Sequence, residues 1–132
     1  VVIATLAKNG VPFAAASIHL GLDAAQRERH LADVLDLVDG LVDRLDHGPI
    51  VIAGDINESS EGPAWAALAS VYTDVGAGDN TATFSVRNPR HRIDGIFVRG
   101  LTVESYHVVN SPDVQKASDH RPIMAELGLV AG

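Results

Sequence analysis

Pro49-Ile50-Val51-Ile52-Ala53-Gly54-Asp55-Ile56-Asn57 is the stretch on which the reading of this chain turns. Its first five residues are apolar and include three consecutive β-branched side chains, so it predicts a buried strand over Ile50–Gly54. A carboxylate and a carboxamide, Asp55 and Asn57, follow at once, where a sheet can hold side chains rigidly at a site. In extended chain, residues two apart point the same way, which would set Asp55 and Asn57 side by side. The alternative is an Asx turn closing the strand, which both residue types favour.

Three other apolar runs carry polar groups at their ends. They are marked by Ser17-Ile18-His19-Leu20, Arg92-Ile93-Asp94 and Ser118-Asp119-His120-Arg121-Pro122. Two His and three Asp in four such settings point to one shared acid/base and metal centre. Asp94 alternates with Ile96 and Val98, so it shares their face and needs a partner if that face is buried. A His is one candidate, and Arg92 is the other. Asp119 and His120 are adjacent and cannot both point one way in a regular strand, so they fit a turn entering Pro122.

These motifs, in this order, resemble the endonuclease/exonuclease/phosphatase superfamily, the DNase-I-like metal-dependent phosphoesterases. Gly54-Asp55-Ile56-Asn57 is similar to the family's Gly-Asp-x-Asn motif, and Ser118-Asp119-His120 to its C-terminal Ser-Asp-His. Arg92-Ile93-Asp94-Gly95-Ile96-Phe97 and Ser17-Ile18-His19-Leu20 look like two of its strand motifs, and Thr81-Ala82-Thr83-Phe84 like another common element. The resemblance implies an α+β fold, part of a four-layer αββα sandwich. It implies in-line attack of water on a phosphoester, with His19, Asp55, Asn57, Asp94 and His120 catalytic and Asp119 binding Mg²⁺ or Mn²⁺. Asp94 would support His120, and the general base would be either Asp55 or that pair. The family also uses an upstream Asn and a metal-binding Glu, for which this chain has no counterpart. Residues 1–132 therefore read as the C-terminal portion of a single domain. The expected partner is the domain's N-terminal half, and the stretch alone is expected to be inactive.

Outward from these motifs, Lys8-Asn9-Gly10 separates two apolar runs and predicts a hairpin. Phe13–Ile18 is apolar at successive positions, which predicts a strand covered on both faces. Asp23 with Gln26 reads as a helix start, and Leu31, Val34, Leu35, Val38, Leu41, Val42 and Leu45 follow at helical spacing. Asp36, Asp39, Asp43 and Asp46 mark the solvated side. Pro63 opens a short helix through Ala69, packed down by Trp65 and Leu68. Ile93–Val98, Leu101–Val109 and Pro122–Leu129 read as the last strands. Arg87, Arg90 and Arg92 form a basic loop that either steers an anionic substrate or is simply solvated. His30, His47, His91 and His107 read as surface.

The net charge of −7 and the supply of three Phe, two Tyr and one Trp disfavour a polynucleotide groove. They favour a small-molecule or lipid phosphoester, with nucleic acid as the second choice. Alternative functions are a non-catalytic binding module on the same fold and a DNA repair or degradation nuclease. The chain has no Cys, which excludes a disulfide scaffold and Cys-ligated zinc. It has no Gly-x-Ser-x-Gly elbow, no His-Glu-x-x-His helix and no P-loop.

Overall fold

The computed structural model describes residues 1–130. The chain opens with the hairpin β1 (Val2–Lys8) and β2 (Val11–His19), whose turn residues Asn9 and Gly10 both take positive φ. Positive φ at both central positions is what a type I′ turn requires. A long helix, α1 (Ala24–Arg44), then returns the chain to β3 (Ile50–Asp55), which pairs parallel to β2. Helix α2 (Pro63–Val71) and a two-residue edge strand, β4 (Thr73–Asp74), precede β5 (Asp94–Arg99). The resulting five-stranded sheet has the order β1-β2-β3-β5-β4. β6 (Leu101–Val108) and β7 (Ile123–Leu129), with the short α3 (Val114–Ala117) between them, form a second, two-stranded sheet. Among the described residues, no helix is long and apolar enough to cross a membrane.

Helix α1 begins where Asp23 accepts the Gln26 N–H at 3.0 Å. That satisfies one of the donors a helix start leaves free. Its buried stripe, Leu31, Val34, Val38 and Val42, lies on the sheet face made by Ala14, Ala16, Ile18, Ile50 and Ile52. Trp65 and Leu68 of α2 extend this core. Each such aliphatic side chain contributes roughly 1.5–3 kcal/mol on full burial. The other sheet face packs Ile96 and Val98 with Val51 and Ala53 against Leu101, Tyr106, Ile123, Ala125 and Leu127. The molecule is thus α+β, with helices, a five-stranded sheet and a two-stranded sheet in three successive layers.

Three expectations change. The strand through Phe13 and Ile18 is not covered on both faces. Ala14, Ala16 and Ile18 are buried under α1, while Phe13 and Ala15 are only partly buried and Ser17 is exposed. The two-stranded sheet leaves an apolar cleft of about 200 Å³ beside Phe13, Val51 and Leu127. Second, β4 and α3 were not expected, being too short for periodicity to register. Third, Arg92 is no solvated loop residue. It is 6% exposed and makes a two-pronged pair with Asp74, Nη1 to Oδ2 at 3.0 Å and Nη2 to Oδ1 at 2.5 Å. The Trp65 indole N–H donates to the same carboxylate at 3.0 Å, and the guanidinium lies 4.7 Å from the Trp65 ring centroid. The pair ties β4 to the residues that enter β5.

Removing one member of a buried pair strands the other charge, at a cost of about 3–5 kcal/mol. Arg92→Met should therefore lower the urea unfolding midpoint sharply. The double variant Asp74→Asn/Arg92→Met should recover part of the loss. Unchanged unfolding of Arg92→Met would show that the pair contributes nothing.

Candidate active site

Strand register builds the site. His19 pairs with Asp55 across β2 and β3, and Asp55 pairs with Asp94 across β3 and β5. Directly opposed residues share a face, so three polar side chains stand in one row. The row lies at the end of the sheet face that packs on β6–β7. Gly54 makes the approach of β2 and β3 possible beside it. Its φ is +151°, and a Cβ there would sit 1.8 Å from the Ile18 carbonyl oxygen.

The turn after β3 is the Asx turn that the sequence left open. Asp55 Oδ1 accepts the Asn57 N–H at 2.8 Å, and Asn57 takes φ +55°. The chain is therefore not extended through Asn57, which corrects the side-by-side arrangement. The Asn57 amide instead donates to the Leu20 carbonyl at 2.7 Å, tying the loop after β3 to the loop after β2. A second tie, unseen in the sequence, links the same loops. Arg27 donates to the Gly21 and Leu22 carbonyls and pairs with Glu58 at 3.3 Å. Glu58 in turn accepts the N–H groups of Ala64 and Trp65 at the start of α2.

His120 enters from the loop between α3 and β7. Its N–H donates to Ser118 Oγ at 3.0 Å, closing a tight turn. The loop is strapped to residues 83–86, because Arg121 N donates to the Thr83 carbonyl at 2.8 Å and Val86 N to the Asp119 carbonyl at 2.6 Å. Phe84 packs on the imidazole with ring centroids 4.9 Å apart. His120 Nδ1 then lies 2.9 and 3.1 Å from the two Asp94 oxygens. A carboxylate only accepts, so Nδ1 carries the proton and Nε2 is turned toward Asp55 Oδ2, 3.8 Å away. His19 Nε2 approaches the same oxygen to 3.4 Å. His120, and not Arg92, is therefore the partner of Asp94.

Thr83 is the residue that sequence reasoning noticed but did not use. It is fully buried, and its hydroxyl donates to Asp94 Oδ2 at 2.5 Å while accepting the N–H groups of Ile93 and Asp94 at 3.2 and 3.3 Å. One donor and two acceptor positions are all a hydroxyl has, so Thr83 is saturated and fixes the Asp94 carboxylate. No periodicity marks such a residue. Only its place in the Thr-Ala-Thr-Phe element drew attention to it.

Among the described residues, Asp55, Asp94 and His120 form the one group whose ligand atoms lie close enough to hold a metal ion, within 4.8 Å of one another. Two carboxylates facing each other in a half-buried site suit a hard divalent cation. The structure does not bring Asp119 into this group. Asp119 is exposed and lines a neighbouring cavity, and His120 feels it only through its charge. A cavity of about 360 Å³ opens beside Asp94 and His120, bounded by Ser17, Ser118 and Ile123.

Burial pushes the Asp55 carboxyl above its usual range. The Asn57 N–H and the two imidazoles oppose this, and the Asp94 charge adds to it. For His120, burial alone would lower the pKa. The hydrogen bond and charge of Asp94, with Asp55 and Asp119, outweigh burial and hold it above 6.5.

Residues 2–120 match the model of the Endonuclease/Exonuclease/phosphatase family, and the chain belongs to that family. It is 31% identical over 117 residues to the Escherichia coli K12 protein YbhP, an alignment spanning 85% of this chain and 45% of YbhP. Among solved structures, a mannosyl-6-phosphatase from Bacteroides thetaiotaomicron superposes with a TM-score of 0.76 at 24% identity. That match covers 90% of this chain and 52% of the phosphatase. The human Nocturnin catalytic domain with bound sulfate gives 0.72 at 19% identity, over 97% of this chain and 52% of that one. At such identities these likenesses establish the DNase-I-like fold. The chain spans about half the length of each of these relatives.

The raised His120 pKa fixes the sign of a pH effect. A group whose folded pKa lies above its unfolded value stabilises the fold fully below the unfolded value, near 6.5, and loses that contribution as pH rises through the folded one. In chelator, NMR titration should place His120 above 6.5 and Asp94→Asn should bring it down. The stability gap between wild type and His120→Gln should narrow from pH 6 to pH 9. A His120 that titrates at or below the ordinary value would overturn the ion-pair assignment.

Proposed function

We propose that the protein containing this chain is a divalent-metal-dependent phosphoesterase acting by in-line attack of water. The observation that carries this reading is the row His19, Asp55 and Asp94, capped by His120. Asp55 Oδ2 is the proton acceptor, since its other oxygen is committed to the Asn57 N–H. It orients the water and takes its proton as the bond to phosphorus forms. His120, held as imidazolium by Asp94, keeps its Nδ1 proton on Asp94 and presents its Nε2–H to a phosphoryl oxygen or to the leaving oxygen, which can take that proton as the bond to phosphorus breaks. Thr83 and Asp94 keep the ring in that orientation. His19, largely exposed beside Asp55, meets another phosphoryl oxygen. Asn57 has one amide hydrogen left after bonding Leu20, and it can serve the same end. Backing from fixed donors of this kind is worth most where charge develops in the transition state.

Asp55 and Asp94 are the side chains that would hold Mg²⁺ or Mn²⁺, with Asp119 as a further carboxylate at the rim, while His120 keeps both ring nitrogens for Asp94 and the phosphoryl group. A cation there supplies Lewis-acid polarisation of the phosphoryl group. It would also offset the mutual repulsion of two nearby carboxylates. The substrate favoured is a small or lipid phosphoester. The domain's N-terminal half is the proposed cover for the open apolar cleft beside Phe13, and residues 1–132 alone are expected to be inactive.

In the whole protein, Asp55→Ala and His120→Ala should each lower kcat by roughly 10²–10⁴-fold, with KM moving less. Wild-type turnover in either variant would reject the assignment. Activity should disappear in excess chelator and return with Mg²⁺ or Mn²⁺. Asp119→Asn should raise the metal concentration needed for half-activity. Full turnover in chelator would exclude the metal, and an unchanged metal requirement would exclude Asp119.

A further inference from the structure

Residues 80–93 carry three arginines and no carboxylate, in a chain of net charge −7. Arg92 is neutralised by Asp74, but Arg87 and Arg90 are exposed and make no ion pair among the described residues. Their loop is held firmly against the site. Arg90 N donates to the Phe84 carbonyl at 2.9 Å, and the Val86–Asp119 and Arg121–Thr83 bonds strap the loop to the His120 turn. Arg121 Nε adds a bond to the Val86 carbonyl at 3.3 Å.

Between this loop and α3 lies a cavity of about 300 Å³, lined by Ser85, Val86, Arg87, Gln115, Ser118 and Asp119. It meets the His120 cavity at Ser118, which lines both. The Ser118 oxygen accepts the His120 N–H, so the hydroxyl hydrogen is left to donate. Ser85 Oγ reaches its nearest acceptor, the Asn88 carbonyl, only at 3.5 Å, too long for a good O–H···O bond. Among the lining residues, Arg87, Gln115, Ser85 and Ser118 have side-chain donors within reach of an anion bound there, the chemistry that receives a phosphate. Asp119 is the one carboxylate on the lining.

We propose that this cavity is a second anion subsite, taking a phosphate of the substrate other than the one attacked beside His120. The preferred substrate is then a small phosphoester bearing two phosphate groups. The substrate assignment rests on the phosphoesterase reading above, whereas the anion subsite itself does not. A flanking phosphate of a polynucleotide offers the same group. The net negative charge and the scarcity of aromatic side chains favour the small molecule.

The binding test uses isotope-labelled whole protein in chelator, titrated with inorganic phosphate. Amide shifts are expected at residues 85–87 and 115–118. Arg87→Gln should raise that Kd about tenfold, the loss of one or two charge-assisted hydrogen bonds. Asp119→Asn should lower it, by removing the opposing charge. Shifts confined to His19, Asp55, Asp94 and His120 would overturn the subsite while leaving the phosphoesterase reading intact. Absence of shifts anywhere would overturn it too.

The kinetic test, with Mg²⁺, compares a hexitol bisphosphate with the matching monophosphate. Arg87→Gln should raise KM about tenfold for the bisphosphate alone, with kcat little changed. An equal rise for both would overturn the proposal. Preference for a short oligonucleotide, lost in Arg87→Gln, would overturn the small-molecule assignment. Phosphate binding at Arg87 without turnover of any phosphoester would remove the phosphoesterase reading and the substrate assignment with it, leaving only an anion site.

Discussion

Everything at the site depends on the register of β2, β3 and β5. The pairing that sets His19 opposite Asp55 and Asp55 opposite Asp94 places three polar groups on one rung of the sheet. A slip of one residue in β3 would turn Asp55 toward the buried core under α1. Neighbouring strands are spaced by roughly 4.7–4.9 Å, so the rung brings two carboxylates and an imidazole close together. Glycine at position 54 lets the strands close at that rung, because any side chain there would collide with the Ile18 carbonyl.

Around this rung the protein separates two kinds of task. Apolar rows further along the same face hold the second sheet, and the polar row is left at its end. The loops that emerge there are fixed by ionic and hydrogen-bonded ties outside the row itself. Arg27 and Glu58 fasten the β2 and β3 loops, Asp74 and Arg92 the entry to β5, and Thr83 the Asp94 carboxylate. Asp55 and Asn57 also carry structural bonds of their own, Asp55 closing the turn after β3 and the Asn57 amide holding the Leu20 carbonyl.

The parts of this arrangement legible in the sequence were those that repeat or stand in a known order. The stripe of α1, the Asn9-Gly10 turn and the apolar runs of β3 and β5 follow from periodicity and turn chemistry. An acid on an apolar face called for a partner, and the family resemblance implied that it was His120. What escaped was set by tertiary contact. Arg92 looks like one of three loop arginines until Trp65, Asp74 and Tyr106 are seen around it. Thr83 has no pattern to betray that its hydroxyl is saturated, and Asn57 leaves extended geometry because Asp55 captures its N–H. The exposure of Asp119 likewise depends on how the strap to Val86 turns the loop, which the adjacent pair Asp119-His120 cannot specify.

The parallel pairing of β2 with β3 has a consequence for how the protein assembles. β1 and β2 can zip locally through their two-residue turn, and α1 can form on its own apolar stripe. β3, however, must find β2 across the whole of α1, and β5 must then find β3 across α2 and the basic loop. Such distant pairings bear the loop-closure entropy before any contact compensates it, so they come late. The polar rung exists only once both have formed, and His120 lies further down the chain still. The site is therefore the signature of a finished sheet: hairpin and helix alone present none of the paired row, and loss of the β3–β5 ladder would part Asp94 and His120 from Asp55 in one event.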